Sequence, residues 1–201
     1  SVAINLSNVT ALAASSLEDL TTLNTNIAGF SNTTNIATIN LTNDGGGSDG
    51  NLDFGTLETI IDNYKARVNA VSFKPATGDL IDVDTSDELT AILADIAADN
   101  LTLTDQAITV DSGVSVSVDN AKLLAADTTG TVTATITNTE IVSKLVELRQ
   151  PNGSDNEENA WTITIPAADA TRCTAAQFNT INAATSVAIN AAAVTGLASD
   201  N

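Results

Sequence analysis

Apolar side chains fall in short runs whose spacing switches between two periods. Four runs have helical spacing: Leu17, Leu20, Leu23 and Ile27; Leu57, Ile60, Ile61 and Tyr64; Leu89, Ile92, Leu93 and Ile96; and Ile141, Leu145 and Leu148. Residues three and four apart share a helix face, so each run predicts a short amphipathic helix. Capping signatures stand before them at Ser15-x-x-Glu18, Thr85-x-x-Glu88 and Thr137-x-x-Glu140, with a weaker form at Gly55-x-x-Glu58. In such a box the first side chain accepts a free helix N–H and the fourth reaches back to the cap's own N–H. Thr174-x-x-Gln177 marks another start, and Asp119 opens a helix through Leu123 and Leu124.

Between these runs lie alternating segments that predict strands: 2–6, 36–41, 71–73, 108–110, 114–118, 132–136, 161–165 and 187–189. Strands and helices thus alternate, about five or six of each. Alternation demands crossover connections and therefore parallel pairing. The predicted fold is an α/β repeat: short strands alternating with short helices, in a stacked solenoid-like body with substantial parallel β. No Walker sequence follows a strand, and a doubly wound nucleotide-binding sheet is not expected.

The two ends of the chain match. Ser1-Val2-Ala3-Ile4-Asn5 returns as Ser186-Val187-Ala188-Ile189-Asn190, Val9-Thr10 as Val194-Thr195, and Leu12-Ala13 as Leu197-Ala198. These are 9 identities in 13 positions at a constant offset of 185. Residues 1–201 then read as one unit, with a period of about 185, of a larger array. Sub-boundaries are expected at the loops 43–54 and 150–160, which are rich in Gly, Asp, Ser, Asn and Glu. The lack of methionine, at position 1 included, predicts a piece of a longer parent that carries the export signal elsewhere.

Composition narrows the chemistry. Aromatic residues make up 3% of the chain, so the core must be built from Val, Ile, Leu and Ala. There are 25 acidic against 7 basic residues, a net charge of −18. That sign repels nucleic acid and anionic lipid and attracts cations. Histidine is absent and Cys173 is alone, which removes imidazole metal sites, Ser–His and Cys–His nucleophiles, and any internal disulfide. One Trp, one Tyr and three Arg make a poor glycosidase or lyase cleft, and no catalytic residue is assigned. No apolar run is long enough for direct membrane insertion.

The best cation candidate is the loop 44–53, where Asp49, Asn51 and Asp53 have the alternate spacing of oxygen ligands for calcium. It departs from an EF-hand, with Phe54 and Ile60 where Gly and Glu belong. Asp79, Asp82, Asp84 and Asp87 read as a solvated face that runs into a helix cap. Asp155, Glu157 and Glu158 form a third acidic group. Six Asn-x-Ser/Thr sequons are no more than a chain this rich in Asn, Ser and Thr contains by composition. Cys173 reads as an inert packing residue.

At Ser-Val-Ala-Ile-Asn-x-x-x-Val-Thr, at Ser15-Leu17-Glu18-Asp19-Leu20 and at Asp127-Thr128-Thr129-Gly130-Thr131-Val132-Thr133-Ala134, the chain resembles the repeats of giant cell-surface proteins of cyanobacteria and marine bacteria. Those repeats often stand beside calcium-binding RTX segments. The resemblance implies export, an extracellular or cell-surface location, and a role in an adhesin stalk, surface layer or fibre. The expected function is a non-catalytic structural unit of an extracellular filament, sheet or surface layer, with copies of itself or adjacent repeats as partners. Assembly is expected through strand pairing of Val2 and Ile4 with Val187 and Ile189 of the next unit. The alternative is an adhesin repeat that binds glycan or a host partner through the loops 43–51 and 150–159.

Overall fold

The computed structural model describes residues 4–5, 9, 11–14, 19, 22, 26, 30–31, 38–41, 51–65, 72–76, 78–148, 159–169 and 172–198. The chain divides into two compact units, Ser1–Ala107 and Ile108–Asn201. It is an α/β protein in which strands alternate with helices and pair mostly in parallel.

The first unit holds strands β1 (Ile4–Asn5), β2 (Ala11–Ala14), β3 (Phe30–Ser31), β4 (Thr38–Leu41), β5 (Asn51–Asp53), β6 (Ser72–Lys74) and β7 (Leu80–Val83), with helices α1 (Phe54–Lys65) and α2 (Ser86–Ala97). β1 pairs β3, β2 and β6 flank β4, and β5 pairs β7. Asp19, Thr22 and Asn26 are helical and exposed, at the spacing of one helix face. The leucines predicted to line the opposite face lie outside the described residues.

All four apolar residues predicted for α1 are buried: Leu57, Ile60, Ile61 and Tyr64. Tyr64 meets Phe73 of β6 edge to face, with ring centroids 5.7 Å apart. Leu89 and Ile92 of α2 are buried, and Leu93 and Ile96 half-buried. α2 is capped as the sequence predicts, for the Glu88 amide donates to Thr85 Oγ1. Its Glu88 carboxylate bonds the Asp84 amide rather than that of the cap itself. A tight turn before β7 needs Gly78, whose φ is +81°.

The second unit holds all but the first residue of β8 (Ala107–Val110), then β9 (Ser115–Val116), α3 (Val118–Asp127), β10 (Val132–Ile136), α4 (Val142–Leu145) running into a 3-10 turn (Val146–Leu148), β11 (Ala160–Thr162), a second 3-10 turn (Ala167–Asp169) and α5 (Ala175–Asn182). β10 pairs β11 along one edge and both β8 and β9 along the other. Inward residues of β10 alternate as the sequence predicts, with Val132, Ala134 and Ile136 buried. Trp161 and Leu124 are buried beside them in the same unit.

Strand partners recur at similar separations along the chain. Ile4 pairs with Phe30, Ala11 with Thr38, Asn51 with Leu80, Ile108 with Val132 and Thr133 with Ala160, separations of 24 to 29 residues, while Ser115 with Thr135 and Thr38 with Ser72 depart from that range at 20 and 34. Isolated bridges continue the series at Phe73 with Leu101, Thr164 with Asn190 and Thr174 with Ala198.

Several expectations need correction. The predicted strand 187–189 does not form, and its neighbour Asn190 makes a single bridge instead. Ile141 does not join a helix face: it is the N-cap of α4 and 54% exposed, while Val142 takes the buried place. α3 starts at Val118 behind an N-cap at Ser117 rather than at Asp119, and of its two leucines Leu124 is buried and Leu123 55% exposed. Asp79 is not part of a solvated face but is 2% exposed.

Candidate functional site

The cation candidate divides. Asp49 lies outside the described residues, as do Asp155, Glu157 and Glu158. Asn51 begins β5, where its backbone pairs with Leu80. Asp53 ends β5 exposed, and its carboxylate accepts the Thr56 amide at 2.7 Å and the Thr56 hydroxyl. That oxygen therefore serves the free N–H groups at the start of α1, the local duty of an N-terminal carboxylate. Among the described residues no group of three or more acidic or thiol side chains is gathered closely enough to hold a metal ion.

The assembly residues divide too. Val2 lies outside the described residues, and Ile4 sits in β1 with Phe30 as its partner. Val187 is 37% exposed and Ile189 half-buried. The segment around them is seated on the preceding one by backbone bonds. Ser186 N donates to Asn159 O, Asn190 N to Ile163 O, Ile165 N to Asn190 O, and Ala198 N to Cys173 O, all at 2.9–3.0 Å. Cys173 is fully buried, and burial, then the nearby Asp169, pushes its thiol up, so it packs rather than reacts.

Two devices recur that sequence reading missed. In the first, a carboxylate from the following segment caps the preceding helix. Val118 N, the first amide of α3, donates to Glu140 Oε1 at 3.0 Å, and Val142 N of α4 donates to Asp169 Oδ2 at 2.9 Å. Glu140 thus does not close a box with Thr137; it caps its neighbour. In the first unit the Glu88 carboxylate lies near the first turn of α1. An added Cβ at Gly55 would lie 2.9 Å from Glu88 Oε1, the far end of a flexible side chain.

In the second device, a buried polar residue stands just before a strand and satisfies neighbouring backbone. Asp79 precedes β7: its carboxylate accepts the Ala76 amide, and its carbonyl accepts that of Ala107. Gln106 precedes β8; its side chain accepts from Thr104 N and donates to the carbonyls of Pro75 and Ala76. Asn159 precedes β11; its Oδ1 accepts Val132 N at 2.8 Å and its carbonyl accepts Ser186 N. All three are at most 3% exposed, so each bond replaces water that the backbone cannot reach.

Lys65, Lys122 and Lys144 tie neighbouring helical segments together. Lys144 bridges Asp119 at 2.8 Å and Glu147 at 3.0 Å, and Lys122 reaches Glu147 at 3.2 Å, linking α3 with the α4 region. Its hydrogen bond to Lys144 holds Asp119 below the usual carboxylate range, and bonds to Lys144 and Lys122 do the same for Glu147. Lys65 of α1 bonds Asp95 of α2 at 2.9 Å, and Asn100 Nδ2 donates to the same buried carboxylate. Burial, then the charges of Asp62, Asp95 and Glu88, raises the carboxyl of Glu58. A shallow depression of about 400 Å³ on α3 is lined by Asp119, Lys122, Leu123 and Ala126, and both of its charged groups belong to these pairs.

Comparison with family models, with characterised proteins and with solved structures returned no match to the chain. No described helix is long and apolar enough to cross a membrane.

Proposed function

We propose that the chain is a non-catalytic structural unit of an extracellular filament, sheet or surface layer, built as β/α coils that stack in the manner of a solenoid. The observation that carries this reading is the recurrence of parallel pairing, at 24 to 29 residues for most strand pairs and 20 and 34 for two, with the same backbone-satisfying devices returning from coil to coil. Stacked repeats bury a core only against their neighbours, so such bodies grow by adding units. The matched ends supply a way to add them. The polar groups described above act on backbone and on one another, which suits a load-bearing role better than turnover.

Sedimentation velocity of residues 1–201, in calcium and in chelator, with imaging of any fast species, tests the reading. Ordered assemblies are expected. Their loss in chelator assigns calcium to the joints, and their persistence assigns the joints to backbone edges. A compact monomer in both conditions at high concentration overturns self-assembly of the single unit.

A further inference from the structure

The two matching segments show opposite sides of one and the same coil. At the start of the chain, Asn5 pairs with Ser31 and Ala13 with Asn40, residues that follow them in sequence. At the end, Asn190 pairs with Thr164 and Ala198 with Thr174, residues that precede them. Asn190 corresponds to Asn5, and Ala198 to Ala13, both at the offset of 185. Two separate registers therefore agree on one superposition. The order of elements agrees as well. Thr164, Thr174 and α5 come before Asn190 and Ala198, as β1, β2 and the helical residues Asp19, Thr22 and Asn26 come before β3 and β4.

Exposure fits the same account. Leu12, paired with Ile39 of the following strand, is half-buried, whereas its counterpart Leu197 is 53% exposed. Val187 is exposed in the same segment. Ala198, bridged to the preceding coil, is half-buried, whereas its counterpart Ala13 is exposed. Leu12 and Ala198 are covered where their counterparts Leu197 and Ala13 are bare.

We propose that the outer edge of residues 186–198 is the seat for β3 and β4 of a second copy of this sequence, in the register in which residues 4–13 hold them within one copy. The terminal segments are then interchangeable occupants of one position, not strands that pair with each other. Asn190 would face Ser31 of the second copy, and Leu197 would lie beside Ile39, a buried core residue within one copy. Backbone pairing along an open edge gives the affinity, and the apolar contact at Leu197 fixes the register.

The inference rests on the structural reading above, and a tandem protein separates the two. In the in-phase tandem, residue 198 of the first copy is followed directly by residue 14 of the second. In the out-of-phase control, residue 201 is followed by residue 1. Hydrogen exchange of the amides of 187–198 in the first copy is expected to slow at least roughly tenfold in the in-phase tandem, relative to the single chain and to the control. Leu197→Asp in the first copy is expected to lower the melting temperature of the in-phase tandem and to leave that of the single chain unchanged. Exchange at the single-chain rate in phase, an unfolded second copy, or a Leu197→Asp change as silent in the tandem as in the single chain overturns the shared-seat register. Sedimentation of the single chain judges end-to-end assembly separately, since units that join by another contact still sediment fast while the tandem fails.

Discussion

At the scale of single residues, the stability of each unit leans on a few buried polar side chains. Asn159 has no apolar substitute, because Val132 N would then sit in the interior without an acceptor. Asn159→Leu is expected to cost roughly 1–3 kcal/mol, the penalty of an unsatisfied buried donor. In a unit of this size that is roughly 4–8 °C of melting temperature for each kcal/mol, read by calorimetry. Wild-type stability in the leucine variant would remove Asn159 from this role. None of this was legible in the sequence. Asp79, Gln106 and Asn159 each stand between a loop and an apolar run, where a polar residue ordinarily signals a turn at the surface. Only the tertiary fold tells a buried corner from an exposed one. The same holds for Glu140 and Asp169, whose partners lie 22 and 27 residues away in sequence.

At the scale of elements, periodicity was a good guide wherever side chains carried it. β10 lies where the alternation 132–136 predicts, and Thr174 with Gln177 forms the full reciprocal cap of α5. Four strands escaped. β2 is Ala-Leu-Ala-Ala, without β-branched residues, and β3 is two residues long. β5 directly follows a Gly- and Asp-rich stretch of sequence, and β7 carries Asp82 within an acidic run that masks its Leu-Ile-Asp-Val alternation. Pairing to parallel neighbours makes strands of such segments, and propensity does not register it. Helix pairing gives a pH prediction. Asp119 and Glu147 sit below the ordinary carboxylate range, so their contribution is complete above that range and is lost as pH falls through the lowered values. Lys144→Met is therefore expected to flatten the acid limb of the stability profile between neutral pH and about pH 3. The pairs are exposed to solvent, so the change is one of slope rather than collapse. Urea midpoints of both proteins across that range check it, and parallel acid limbs would refute it.

At the scale of the whole molecule, charge is unevenly divided. Ser1–Ala107 carries 15 acidic and 3 basic side chains, and Ile108–Asn201 carries 10 and 4. Self-repulsion is screened once the Debye length falls to about 10 Å near 0.1 M salt. Added sodium chloride is thus expected to raise the unfolding midpoint of the first unit more than that of the second. The chain provides its own reporters, since the single Tyr64 is buried in the first unit and the single Trp161 in the second. Equal salt shifts by tyrosine absorbance and tryptophan fluorescence would contradict the expectation. The short separation of strand partners, 20 to 34 residues, has a kinetic and evolutionary corollary. If contacts span one coil however long the polypeptide grows, absolute contact order stays fixed, and folding can begin at any coil and spread to its neighbours. Lengthening such a gene by duplication would not ask the newly synthesised chain to close ever longer loops. Recombination between near-identical stretches can then change a protein's reach without first solving a new folding problem.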